Sequence, residues 1–277
     1  MTWNALIAAL DAGDKFRSTV SVYMHPLAGR PILWHILSTL GAMSPPPEEI
    51  RIVHHEGAPL SLPGDPSVPI VTEAVAKGGE LLALRAAVTS PGQKALLDGA
   101  APLLTTSTIS RLLRASDGSI AVLLEGQEDA TPLAVAGEGP ALASAEDPRR
   151  PGGAVRIAAT SRDELIRVCD RHSLAEAGVA IRDRLVRRHE ENGVSFVLPA
   201  TSWVDADVTI GPDTVVYPGA VIEGHTEIGA ECVIGPHCHI VESTIGRGAE
   251  LKGWNYVTRT AIRNQAVLEP HVKRGLD

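Results

Sequence analysis

The sequence predicts an α/β domain followed by a parallel β-helix, and three observations carry that prediction. Val204, Ile210, Val216, Ile222, Ile228, Ile234 and Ile240 recur every six residues without a miss; Ile245, Leu251, Val257, Ile262 and Leu268 continue the series after a slip of a single residue. Upstream, short aliphatic runs alternate with amphipathic helical stretches, the pattern of a mostly parallel sheet. Aromatic residues make up only 3% of the 277 residues against 44% hydrophobic, so both cores must be built from Ala, Val, Leu and Ile.

In chain order, Ala5–Leu10 fits a buried first strand, followed by a glycine-containing loop over 11–21. Pro31 opens a helix to about Met43, with Ile32, Leu33, Ile36, Leu37 and Leu40 on one side, and Ser44-Pro45-Pro46-Pro47 ends it. Ile50–His54 alternates as a strand, a Pro/Gly-rich loop follows through Pro69, and Ile70-Val71 begins another short strand. Gly79 leads into a helix over 80–88, Ala95–Leu97 is a further strand, and Thr105–Ala115 is a helix capped by Thr105, Thr106 or Ser107. Ile120–Leu124 and Val155–Ala158 read as strands flanking 126–153, whose Gly, Pro, Ala and charge predict a loop. Ser161 with Glu164 and Ser173 with Glu176 fit the capping box, in which each end satisfies the other's orphan donor. The second of these helices is predicted from Leu174 to Glu191, stopped by Asn192-Gly193, after which Val194–Leu198 feeds into the coil.

Six residues make one short strand and one tight turn, and three such sides close a triangular coil. The aliphatic points into the prism. The smaller residue two before it (Val208, Thr214, Ala220, Thr226, Cys232, Cys238, Ala249 and Thr260) fits beside the corner, and Gly211, Gly229, Gly235 and Gly246 serve the turns. Val204–Val272 holds just under four coils at about 18 residues each. The domain boundaries expected are 1–160 for the α/β part, 161–199 for connecting helices and a strand, and 200–277 for the β-helix.

A net charge of −8 argues against a nucleic-acid surface. Arg182, Arg184, Arg187 and Arg188 cluster among Asp183, Glu190 and Glu191, as on a solvated helix face. Cys169, Cys232 and Cys238 form neither a CxxC motif nor an even framework, which predicts a reducing, cytoplasmic setting. No apolar run reaches membrane length and the N-terminus has no basic-then-apolar pattern, so no membrane partner is expected.

Several strings resemble one family. His25-Pro26-Leu27-Ala28-Gly29-Arg30-Pro31, Pro102-Leu103-Leu104-Thr105, Val168–Ala177 (VCDRHSLAEA), Asn192-Gly193-Val194, Asp205–Val208 and Tyr217-Pro218-Gly219 are similar to segments of the bifunctional N-acetylglucosamine-1-phosphate uridylyltransferase / glucosamine-1-phosphate acetyltransferase family. The resemblance is weak over 44–75 and 115–155 and close from 168 to about 246. It implies a reduced Rossmann-like nucleotidyltransferase domain followed by a left-handed parallel β-helix. A prism of under four coils has a small core whose outer faces neighbouring prisms can cover, so a homotrimer through the β-helix is expected. Tyr217, Trp203 and Trp254, large residues outside the six-residue register, are candidates for the subunit face.

The chemistry implied by the family is only partly matched. Its phosphate-binding loop, LAAGxGTRM…PK, maps onto Asp11 and Gly13 at the glycines, Asp14 for Thr, Lys15 for Arg, Phe16 for Met, and Ser21-Val22 for Pro-Lys. Two extra carboxylates there repel a triphosphate. The family's Mg²⁺ rests on the Asp of GDxPL and the first Asn of VN[ND]R, positions held here by Ala100 and Cys169. The resemblance therefore implies residual nucleotide contacts from Gly13, Lys15, Gly79 and Arg171, with no catalytic residues and no metal. A degenerate protein of the sugar-nucleotide pathway, with an assembly or regulatory role beside a complete homologous enzyme, is the reading these losses favour. Two alternatives stand. An active sugar-1-phosphate nucleotidyltransferase would use Mg²⁺ in a rearranged site with Lys15, Asp98 and Asp170. A hexapeptide-repeat acyltransferase would use His225 or His271, since the family's own acetyl-transfer site lies in later coils than this sequence reaches. His237 and His239, two apart and off the register, are expected to face alternate sides of a strand and not to share a metal.

Overall fold

The computed structural model describes residues 2–10, 14–62, 66–123 and 131–275. The chain divides into two compact units. One comprises residues up to His25 together with Pro31–Ala177, and the other Pro26–Arg30 together with residues from Gly178 onward.

The first unit is built on a seven-stranded sheet. Its strands are β1 (Trp3–Ala9), β2 (Ile50–His55), β3 (Ile70–Val75), β4 (Gln93–Asp98), β5 (Ala121–Leu123), β6 (Ala134–Glu138) and β7 (Val155–Ile157). Their spatial order is β3-β2-β1-β4-β6-β5-β7. The first four are mutually parallel; β6 runs antiparallel to both β4 and β5, and β7 is parallel to β5. β1 is central and buried on both faces, which is why it reads as a continuous apolar run. Ala8 pairs with Val53 on one side and Asp98 on the other, so the carboxyl ends of three strands lie abreast. Strand order reverses between β1 and β4, and open α/β sheets place their ligand crevices at such a point.

The helices are α1 (Ile32–Gly41), α2 (Glu80–Val88), α3 (Thr106–Ala115), α4 (Gly139–Ser144) and α5 (Arg171–Glu191). α1 buries Ile32, Leu33, Ile36, Leu37 and Leu40, the five positions its spacing predicts. Thr105 caps α3 by accepting the Thr108 backbone N–H at 3.2 Å. The buried Glu164 carboxylate in turn accepts the Thr105 backbone N–H and hydroxyl at 3.2 and 3.1 Å. Ser161 and Glu164 do form the predicted capping box, but on a single 3-10 turn, Arg162–Leu165.

Two expectations are corrected. The segment 126–153 is not a loop throughout: β6 and α4 fall within it, while 124–130 lies outside the described residues. Gly139 starts α4 because the backbone is crowded there; a Cβ would lie 2.1 Å from the Ser90 carbonyl oxygen. Ser173 does not cap α5. The helix begins earlier, and Asp170 accepts the Ser173 backbone N–H at 2.8 Å, while the Ser173 hydroxyl donates back to that carboxylate at 2.7 Å. A carboxylate outcompetes a hydroxyl for a helix's first free N–H groups because its full charge also favours the positive end of the helix dipole.

The second unit begins within α5. Gly193 (φ +88°) closes that helix with paired bonds, Val194 N–H to the His189 carbonyl at 3.0 Å and Gly193 N–H to the Glu190 carbonyl at 3.0 Å. Three parallel sheets of five, five and four strands then stack into a prism. Ser195–Phe196 pairs with Val215–Val216 as the first rung of one side. All twelve aliphatics of the register, Val204 through Leu268, are buried. So are Thr214, Ala220, Thr226, Cys232, Cys238 and Ala249 beside the corners. The slip between Ile240 and Ile245 leaves pairing intact, since Ile228 still stands opposite Ile245. Gly211 and Gly229 sit where a Cβ would lie 2.5 and 2.6 Å from a backbone nitrogen of the next coil. Pro26–Arg30 belongs to this unit: the Ala28 carbonyl accepts the Ala206 N–H at 3.0 Å, and Arg30 bonds Asp207.

Candidate functional site

The reversal point between β1 and β4 holds a cavity of about 180 Å³. Ala8 and Leu10 form its floor at the end of β1, with Tyr23, Asp98, Arg149 and Arg167 around it. Tyr23 leans on Gly99, where a Cβ would come within 3.0 Å of the ring. The Asp98 carboxylate accepts the Ala100 backbone N–H at 2.8 Å and pairs with Arg167 Nη2 at 2.7 Å. Arg167 Nη2 also donates to the Thr131 and Pro132 carbonyls at 3.2 and 3.4 Å, whereas its buried Nε has no hydrogen-bond partner among the described residues. Arg149 grips Asp147 through Nε and Nη2, and that hydrogen bonding holds its guanidinium above the ordinary arginine range. Leu10 also lines an adjoining cavity of about 540 Å³, whose polar groups include Ser18, Ser21, His55, Lys77 and Glu80.

Of the residues singled out from sequence, Gly13 lies outside the described residues. Lys15 is exposed and next to the buried Phe16, over whose ring the Arg171 guanidinium stands 5.7 Å from the centroid. His25 also packs on this ring, its own centroid 4.5 Å from that of Phe16, and burial followed by the Arg171 charge lowers its pKa. Gly79 precedes α2, and a Cβ there would meet Val75 at 3.0 Å, so packing also requires this glycine. Asp98 is in the cavity wall. Asp170 is held by Ser173, whose backbone N–H and hydroxyl bring its carboxyl below the usual range. Arg149 and Arg167 carry no signature in the sequence; neither belongs to a motif, and 18 positions separate them without a period.

The backbone does bring the two positions implied as metal ligands together. The Val168 N–H donates to the Ala100 carbonyl at 2.8 Å, which sets Cys169 beside the loop after β4. Ala100 is buried and offers no ligand, and the Cys169 backbone N–H is bound to the Ser173 hydroxyl at 3.0 Å. The two neighbouring carboxylates are both engaged, Asp98 with the Arg167 guanidinium and Asp170 with the Ser173 N–H and hydroxyl. A hard cation needs several oxygens, so these residues do not fit Mg²⁺. Among the described residues, no group of three His, Cys, Asp or Glu side chains is arranged to hold a metal.

The histidines of the β-helix have other partners. His225 Nε2 lies 3.3 Å from Arg30 Nη2, and His239 Nε2 lies 2.5 Å from a Glu223 oxygen. His237 and His271 stack on opposite faces of Trp254, with ring centroids 5.4 and 5.6 Å away. All three stand at corners with positive φ.

The fold agrees with the comparisons to known proteins. Residues 23–165, over half of the chain, match the MobA-like NTP transferase domain model. The chain belongs to that family. This family member continues into a second match, the bacterial transferase hexapeptide (six repeats) over residues 207–242, which makes the prism a left-handed β-helix. The bifunctional protein GlmU of Mycobacterium marinum is 30% identical over 89% of this chain and 63% of its own length. That of Geobacillus thermodenitrificans is 49% identical over 34% of this chain and 20% of its own length. The chain thus spans less than two thirds of the curated relatives it matches, and with them it is a GlmU-like member of the family. A nucleotidyl transferase from Methanothermobacter thermautotroptrophicus shares the fold at 17% identity and a TM-score of 0.50, covering 68% of this chain and 99% of that one. A putative glucose-1-phosphate thymidylyltransferase from Bacillus anthracis does so at 11% identity and a TM-score of 0.51, covering 66% and 96%. Among the described residues, no helix is long and apolar enough to cross a membrane.

Proposed function

We propose that this chain is a cytoplasmic protein of the sugar-nucleotide pathway that carries out no uridylyl transfer of its own. Its role is assembly or regulation, as a homotrimer through the β-helix, beside a complete homologous enzyme. One observation carries the reading: the Val168 N–H bonds the Ala100 carbonyl, which brings together the two positions where the resemblance expects metal ligands, and the carboxylates beside them in sequence are taken, Asp98 by Arg167 and Asp170 by Ser173. Phosphoryl and nucleotidyl transfers depend on neutralising charge that grows on the leaving phosphate, and a buried alanine supplies none of that. The nucleotidyltransferase fold, with a cavity at the ends of its central strands, supports the pathway assignment.

The test is pyrophosphate release from UTP and N-acetylglucosamine-1-phosphate with Mg²⁺ present. The expected result is release no faster than without protein, and activity of an added complete homologue that changes when this chain is present. Release that requires both substrates and stops with chelator would overturn the proposal in favour of an active transferase using Asp98 and Asp170.

A further inference from the structure

A separate cavity, of about 510 Å³, lies at the opposite end of the same strands. Trp3 and Gln93 pair across β1 and β4 five residues before Ala8 and Asp98 do, which is about 17 Å along the strands at about 3.3 Å per residue. Trp3, Met43 and Leu113 give this cavity an apolar floor, and all three are buried. The Trp3 indole N–H is taken by the Pro45 carbonyl at 3.2 Å, so the ring offers carbon surface. The Gln93 side chain donates to the Leu113 carbonyl and the Ser116 hydroxyl at 2.6 and 3.0 Å, which fixes its amide and leaves Oε1 as an acceptor. Two exposed charges of opposite sign, Arg114 and Asp117, complete the lining. Among the described residues, Arg114 bonds only through Nε, to the Ser110 carbonyl at 3.3 Å, and the Asp117 carboxylate has no partner. The two are not paired with each other.

We infer that this cavity binds a free α-amino acid with an apolar side chain, at a site separate from the crevice. Small-ligand pockets combine a mostly apolar lining with a few placed polar groups, and a volume of about 510 Å³ falls in their usual range. The ligand's side chain lies on Trp3, Met43 and Leu113. Its carboxylate pairs with the Arg114 guanidinium, whose planar fork matches two oxygens at once. Its ammonium pairs with Asp117 and donates to Gln93 Oε1. Charge complementarity selects a zwitterion, because a plain anion would meet Asp117 and a plain cation would meet Arg114. The ammonium also stands near the carboxyl end of α3, where the helix dipole favours positive charge. The lining holds no His, Cys or Lys, so the site binds its ligand without reacting with it. None of these residues belongs to the crevice, and the inference holds whether or not the crevice is catalytic.

The experiment is calorimetric titration of the full chain with L-phenylalanine and L-leucine. Three controls each lack one feature: glycine has both charges and no side chain, N-acetyl-L-phenylalanine lacks the ammonium, and phenethylamine lacks the carboxylate. Saturable binding of one ligand per chain is expected for both amino acids, with each control weaker by about tenfold or more. Arg114→Gln and Asp117→Asn change exposed side chains, so both variants should fold, as circular dichroism can confirm. Each should weaken phenylalanine binding by about tenfold. Three results would each overturn the inference: no saturable binding of either amino acid at millimolar concentration, equal affinity for phenylalanine and a control that lacks one of its charges, or an affinity that neither substitution changes. Pyrophosphate release is read separately and bears only on the crevice.

Discussion

Asp98 is closed onto Arg167, Oδ2 to Nη2 at 2.7 Å, and its other oxygen is occupied by the Ala100 N–H. This carboxylate is the one a rearranged metal site would have to use. Asp98→Asn keeps the bond to Ala100 but removes the negative charge beside the guanidinium. It should therefore cost about 1 kcal/mol of stability, the scale of a partly exposed ion pair, read as a lower urea midpoint. Mg²⁺ should leave the midpoint of the unmodified protein unchanged; a midpoint that Mg²⁺ raises, and no longer raises in Asp98→Asn, would make Asp98 a metal ligand.

Acid should destabilise the fold through His189. This imidazole is buried in the last turn of α5, its Nε2 has no hydrogen-bond partner among the described residues, and burial followed by the Arg188 charge lowers its pKa to about 4. The folded state holds fewer protons than the unfolded one between about pH 4 and the ordinary value of 6.5. Stability from this group is thus fully present above pH 6.5 and lost as pH falls toward 4, by about 3 kcal/mol in total. His25 contributes in the same direction. Urea unfolding at a series of pH values should show this slope, and His189→Leu should flatten it.

Ile222 should matter far more than its neighbour. It is fully buried in the middle of the unbroken register, so Ile222→Ala should cost about 2–5 kcal/mol. Glu223 points outward and pairs with His239 on a partly exposed surface, so Glu223→Ala should cost about 1 kcal/mol or less. Equal effects on the urea midpoint would mean that the register does not carry the stability assigned to it.

The oligomer is expected to be a homotrimer. Trp254 and Tyr217 are 52% and 40% exposed on the prism, large rings for an open surface, and Trp203 is half-buried. Light scattering at micromolar concentration should give about three times the 29.2 kDa chain mass, and a monomer mass would refute the trimer.

Much of the fold was legible because period and burial coincide. Each aliphatic from Val204 to Leu268 could be assigned inward from spacing alone, and α2 was bounded by Gly79 at its start. β6 was not legible. Its residues Ala134, Val135 and Ala136 are buried but small, and Gly137 packs within reach of Ile120 and Leu142, so a strand that needs closeness reads like a loop. At α5, Asp170 and Ser173 are both good caps three residues apart, and only the geometry chooses between them. The site was half legible. The expectation at Ala100 and Cys169 comes from resemblance alone, whereas Arg149 and Arg167 line one cavity only through the fold and leave no local pattern.

The slip after Ile240 shows where this molecule can change its length. The family's repeat model ends at residue 242, yet the coils continue, because a turn of the prism absorbed the lost residue and the strand behind it kept its partner. Glu242 takes that turn at φ +47°. Deleting a residue within Val233–Ile234 would be another matter, since it would rotate every later side chain from core to solvent. The corners thus act as punctuation that tolerates editing, and the strands as words that do not. Natural variation in chain length should accumulate at corners, and inserted loops or tags should be accepted there without unwinding the coils on either side.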